Sequence, residues 1–335
     1  MGQEIALKKA IVEVTAELFG KRSFFVNLEP LILVTDQIPL TKIEYWESII
    51  RSVSFEYQRD YIRAEFSLLE TVKPDISWID ICSYDGYQRE KALYALTGGA
   101  PNSFFFSMAL RRLNDWVVEV RVAARHMILR LASETQPSYV VDALCYTLLH
   151  WTSWKRLGPE DKYVMYELIG IPRIAYELKK RIEATASGAM GRVLAEASRS
   201  LVFDKYLGDL AKYATQPAVR ARASRCILAG SVAWVDGLKW HWTDKAYGKG
   251  RFHPVISTRP LKIDFPFSRF LEVAVYDRSP TVRRVGGEFL IKHLEEVGEK
   301  ACLWAEKLAA DKSRSVAERG EFALKKLGKR YLGQG

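Results

Sequence analysis

The chain has 335 residues, of which 48% are hydrophobic and 27% charged, with a formal net charge of +10. Such proportions belong to a folded soluble protein and leave no compositional room for extensive disorder; no apolar run approaches the roughly 20 residues that a bilayer-spanning helix needs. The charge is uneven: residues 1–80 hold 9 basic and 13 acidic side chains, and 81–335 hold 41 and 27. A basic body behind a mildly acidic N-terminal part favours an acidic partner such as nucleic acid, an anionic protein face or a lipid surface.

From the N-terminus, Glu4, Lys8, Lys9, Glu13 and Glu17 are spaced among apolar residues. This predicts an amphipathic helix over 3–19 and argues against a secretory leader. Further helices are expected at 41–52 and 56–72, and residues 1–76 together read as an N-terminal helical cap. Pro137 opens a helix to about Trp154, which Gly158-Pro159 breaks. Helices at 159–169, 172–186 and 189–200 follow. No helical period survives across 233–266, so this stretch reads as one long inserted loop, a feature that compact domains keep for function or flexibility. The four cysteines, Cys82, Cys145, Cys226 and Cys302, form no CxxC and lie far apart in apolar stretches. They read as buried thiols of a reducing compartment, which makes the cytoplasm the expected location. No cofactor or metal site is expected: the HExxH, GxxxxGK[ST] and GxSxG patterns are absent.

A repeat organises the rest. Asp277, Val282, Arg283, Gly286 and Leu290 match Asp311, Val316, Ala317, Gly320 and Leu324 position for position. Asp115, Val120, Arg121, Ala124 and Ile128 repeat the frame. Val219, Arg220, Ala223 and Ile227 carry it without the Asp, and Gln88, Arg89, Ala92 and Leu96 form a fainter copy. The anchors at 88, 120, 219, 282 and 316 fall on a period of about 33 residues, with one extra interval around the insertion. Positions 0, +4 and +8 share one stripe of a helix, so each copy presents Val, a tiny residue and Ile or Leu to a neighbour that can approach closely. Ser279-Pro280 and Gln216-Pro217 mark helix starts. Before each anchored helix lies another apolar stretch, which makes the unit helix, turn, helix. One such pair cannot bury its stripe alone; stacking supplies the partner.

The Asp-x-x-Pro-x-Val-Arg start with Ala or Gly four residues after the Val resembles the HEAT repeat, particularly its short bacterial form. It does so at 102–133, 203–230, 267–294 and 300–327, and weakly at 77–97. The resemblance implies an all-α chain: a right-handed α–α superhelix over 77–330, interrupted by the insertion at 233–266. It also implies a ladder between neighbouring repeats in which Asp115, Asp277 and Asp311 meet Arg121, Arg220 and Arg283. Ala317 departs from the pattern as a terminal copy would, and residues 134–200 carry helices without the signature.

The sharpest functional candidates lie in the insertion: Lys239, Trp240, Trp242, Lys245, Lys249, Arg251 and Phe252. Rings interleaved with cations suit base stacking with phosphate neutralisation. They equally suit a protein contact, or rings that plug the loop against the repeats. His150, Trp151, Trp154, Lys155 and Arg156 form a second cluster, with His150 and Trp154 one helical turn apart. The expected function is a non-catalytic scaffold that binds a macromolecule, a protein first, through a concave face and the insertion. DNA or RNA binding is the alternative, since a family of alkylpurine DNA glycosylases also resembles HEAT solenoids; its catalytic Asp motif has no counterpart here, so no residues are carried over.

Overall fold

The apolar stripes of the repeat frame are buried in a chain whose described residues are mostly helical and carry one two-stranded sheet. The computed structural model describes residues 2–20, 27–65 and 77–331. The chain divides into two compact units, Met1–Glu177 and Leu178–Gly335. The boundary expected at 76/77 lies at the edge of a stretch outside the described residues.

The first unit opens with the helix Gly2–Gly20, followed by Glu29–Asp36, which the sequence reading lacked. The two helices expected at 41–52 and 56–72 are one, Ile43–Glu65; residues 66–72 lie outside the described residues. No Gly or Pro separates the pair, so nothing in the chain stops the first helix from running on. The helix Ser103–Arg111 buries three consecutive phenylalanines, Phe104, Phe105 and Phe106. Its polar residues, Ser103, Ser107 and Arg111, fall on one narrow stripe at a spacing of four, and the rest of the helix is apolar and buried. Asn102 caps it by accepting from the Phe105 N–H, while its amide donates to the Thr35 hydroxyl and the Ile32 carbonyl. The anchored helices are Gly86–Ala95 and Val118–Glu134, and Pro137–His150, Pro159–Gly170 and the start of Pro172–Ala184 complete the unit.

In the second unit the anchored helices are Pro217–Ala229, Pro280–Lys292 and Arg314–Tyr331. They pack against one another in chain order, and each packs on the shorter helix before it: Leu207–Tyr213, Phe267–Val275 and Lys300–Ala309. The tiny residues of the frame sit where the spacing put them. Ala124 and Ala223 are wholly buried, and Gly286 and Gly320 are buried too. A methyl group built on Gly320 would stand 2.1 Å from the Ala309 nitrogen, and one on Gly286 would stand 3.0 Å from the Val275 nitrogen. Gly320 thus admits the backbone of its partner helix where a methyl group could not fit, and at Gly286 the partner backbone comes close enough that a methyl group would have to push it aside by a few tenths of an ångström.

Neighbouring copies are bolted together by the same side-chain wiring three times. Arg89 Nε and Nη2 donate to the two carboxylate oxygens of Asp115 at 2.9 and 2.7 Å. Arg220 does so to Asp277 at 2.8 and 3.0 Å, and Arg283 to Asp311 at 2.5 and 2.9 Å. In each case Nη1 turns back to carbonyls at the end of the preceding helix: Ser83 and Tyr84, Ala214 and Thr215, and Asp277. Each Asp also accepts a backbone N–H two residues on, from Val117, Ser279 and Ser313. A planar guanidinium is the one side chain that fits this bidentate fork and the carbonyls together.

One rung differs from expectation. Asp115 pairs with Arg89 of the faint first copy, whereas Arg121 donates to the Asp115 carbonyl at 2.8 Å. The stretch after Arg121 lacks the signature Asp, so Arg121 has no counterpart of the next rung, and Arg125 instead reaches Asp161 at 2.9 Å.

Candidate functional site

The insertion is a β-hairpin, not a loop. Strand β1 (Ser231–Asp244) pairs antiparallel with β2 (Lys249–Pro260), from Ser231↔Pro260 out to Asp244↔Lys249. The sequence holds the signal: Leu238, Trp240 and Trp242 alternate with Lys239 and His241, a period of two inside a stretch that has no helical period. β-Branched and aromatic residues suit the pleat. Pro254 is tolerated because a two-stranded ribbon leaves outward N–H groups unpaired. Asp244 sets the tip, its Oδ1 accepting from the Ala246 and Tyr247 N–H groups at 3.0 and 3.2 Å, while Gly248 takes the left-handed conformation at φ 66°.

The base of the hairpin is locked to the second unit. Val232 is fully buried. Arg259 donates to both oxygens of Asp204, at 2.5 and 3.1 Å, and to the carbonyls of Ser198, Arg199 and Ser200. Asp204 is 1% exposed, so its charge is held by Arg259 and by the Lys262 N–H at 2.8 Å. Arg222 donates to the Ala233 carbonyl at 2.7 Å, and Arg199 donates to the Val235 carbonyl and lies over the Trp234 ring. Sequence reasoning missed Arg199, Asp204 and Arg222; their roles come from distant segments and leave no local pattern.

Beyond Val235 both faces of the ribbon are open. Alternation places Leu238, Trp240 and Trp242 on one face with Gly250, Phe252 and Pro254. Trp240 meets Trp242 edge-on at 5.5 Å and Phe252 at 4.9 Å between ring centroids. A methyl group on Gly250 would fall 2.6 Å from the Trp240 indole, so this glycine gives the ring its seat. The rings remain 39%, 46% and 62% exposed for Trp240, Trp242 and Phe252. They do not plug the insertion into a helical groove.

The other face carries Lys239, His241, Arg251 and His253. His241 and His253 meet across the strands at 5.3 Å, and Arg251 Nε donates to His253 Nε2 at 2.9 Å. Lys245 and Lys249 stand at the tip, Lys249 over the Tyr247 ring. The hairpin's acids are spent locally: Asp244 on its turn and Asp236 on the Ser257 hydroxyl at 3.0 Å. All seven candidate residues therefore belong to one ribbon, with rings on one side and cations on the other side and at the end.

The second cluster does not assemble. The helix ends at His150, which stacks on Tyr146; Trp151 is buried and Trp154 lies past the helix end. Lys155 and Arg156 are exposed. Of the four cysteines expected to be buried, Cys82 and Cys226 are, whereas Cys145 is half-buried and Cys302 is exposed, and none of them is in a disulfide. No helix among the described residues is long and apolar enough to cross a membrane. In comparisons with known proteins the chain matches no family model, no curated protein and no solved structure.

Proposed function

We propose that the chain is a non-catalytic scaffold of HEAT-like helical repeats whose hairpin is the arm that engages a macromolecular partner. The observation that carries this reading is a ribbon rigidly bolted at its base and bare beyond it. Exposed rings on a two-stranded ribbon gain little within the chain, since such a ribbon is marginal by itself. They are the residue types that dominate binding energy at macromolecular interfaces. The repeated Arg–Asp bracket supports the HEAT-like part of the reading, because each rung joins one copy of the frame to the next. The buried free thiols of Cys82 and Cys226 suit a reducing compartment, the cytoplasm.

The test is to replace residues 236–255 with Asn-Gly, a two-residue hairpin turn that joins the paired Val235 and Ile256. This keeps Val232, Trp234 and the Arg259–Asp204 bolt. The tagged full chain is expected to retain a stoichiometric macromolecule, protein or nucleic acid, that the trimmed chain loses. Equal retention by both chains, or none by either, overturns the reading.

A further inference from the structure

We infer that the hairpin's ligand is single-stranded nucleic acid, bound by stacking bases on the Trp240, Trp242 and Phe252 rings while the ribbon's cations neutralise phosphates. This rests on the hairpin-arm reading and names its partner. Charge complementarity is the first argument. The second unit holds 30 basic and 17 acidic residues, a net +13, against 20 and 23, a net −3, for the first. Lys239, Lys245, Lys249 and Arg251 lie on the exposed part of the ribbon with no ion pair among the described residues, and both nearby acids are engaged in turns and hydroxyl contacts. A second copy is disfavoured, because ring-to-ring pairing would press together two units of net +13 each.

The ring face decides between single strand and duplex. In a duplex the flat faces of the bases are already stacked, which leaves exposed rings on the protein without a π partner. Unstacked bases offer both a flat face and a flanking phosphate, the combination that aromatic single-strand platforms use. With no third strand on either side, long Lys and Arg side chains are free to reach past the ribbon's edges toward a backbone lying along the ring face. An apolar protein surface would account for the rings alone and has no use for four cations without an ion pair, which leaves an anionic protein face as the competing occupant that the experiment separates.

The experiment is fluorescence anisotropy on the full chain with three probes. They are a labelled oligothymidine of about 20 nucleotides, longer than the roughly 4–16 that compact single-strand sites cover, the duplex it forms with oligoadenine, and heparin as a polyanion without bases. The single strand is expected to bind more tightly than the duplex. Trp240→Ala and Phe252→Ala each weaken oligothymidine binding roughly tenfold and leave heparin unchanged, while Trp240→Phe restores most of the loss. Changing Lys239, Lys245, Lys249 and Arg251 together to Gln weakens both polyanions. It also flattens the log–log salt dependence for the single strand by about three, as four phosphate contacts require.

Ring variants without effect, duplex binding equal to single-strand binding, or no binding at low salt overturn the inference. If oligothymidine fails while an acidic protein is retained in a hairpin-dependent way, the nucleic-acid assignment falls and the arm reading stands. If the trimmed chain binds oligothymidine as well as the full chain, the arm reading itself falls.

Discussion

The two units use the same Arg–Asp bracket and spend the rest of their charge in opposite ways. In the first, the bracket runs into a buried network: Arg112 bonds both Asp115 and Glu47, and Arg111 and Arg51 also reach Glu47. Burial alone would raise the Glu47 carboxyl, yet Arg112, Arg111 and Arg51 together pull it down to about 2. Burial likewise pushes the nearby Cys82 thiol up to about 12, so it stays protonated and inert. Two exposed rings of this unit lie under its arginines, Tyr84 under Arg51 and Trp116 under Arg89. In the second unit no buried network of this kind joins the brackets among the described residues, and the hairpin sets Trp240, Trp242 and Phe252 on one face and Lys239 and Arg251 on the other. The contrast teaches that one bracket can serve a unit whose charges are closed on themselves and another whose charges face outward.

Breaking the closed network should have the largest effect. Glu47→Gln leaves Arg112 buried beside a neutral group, and a loss of about 3–5 kcal/mol is expected, read by chemical denaturation of the full chain. Arg259→Ala strips Asp204 of its partner and should cost about 3 kcal/mol. Its sharper signature is local: amide exchange in 231–260 accelerates while peptides of the first unit hold their rates. Gly320→Ala drives a methyl group into the Ala309 backbone and should cost about 1–3 kcal/mol, visible as a lower melting temperature.

Acid separates the units more finely. The Glu47 carboxyl sits below its ordinary value in the folded chain, so its contribution is whole above about pH 4.5 and is lost as pH falls toward about 2. Exchange protection in the first unit should therefore decline across that window, and Glu47→Gln should flatten the decline. Asp311 is lowered as well, chiefly by its bond from Arg283, which gives the second unit a dependence of the same sign. The smallest effect belongs to the hairpin: Trp240→Ala should move stability by no more than about 0.5 kcal/mol, since the ring touches only its own ribbon.

Much of the helical body was legible because burial repeats itself. Val120, Ala124 and Ile128 occupy one stripe, and that stripe is visible in one dimension as a spacing of four. Arg220–Asp277 and Arg283–Asp311 followed from the same frame, whereas Arg89–Asp115 was hidden by Gln88, which stands where the other copies have Val. The hairpin was hidden for a different reason. Strand alternation spans only five residues at 238–242, and two bulges, at Val235/Gly237 and Trp242/Asp244, interrupt the period on either side. The seven candidate residues fall together on this one hairpin, and rings interleaved with cations are conspicuous in composition before their strand is known. Their division between two faces needed the register.

The most direct test of the account is amide hydrogen exchange on the full chain, alone and with saturating oligothymidine. The account predicts protection concentrated in peptides covering 237–253, with the Ile43–Glu65 and Val118–Glu134 helices unchanged. Protection centred on those helices, with the hairpin exchanging as fast as before, would contradict it.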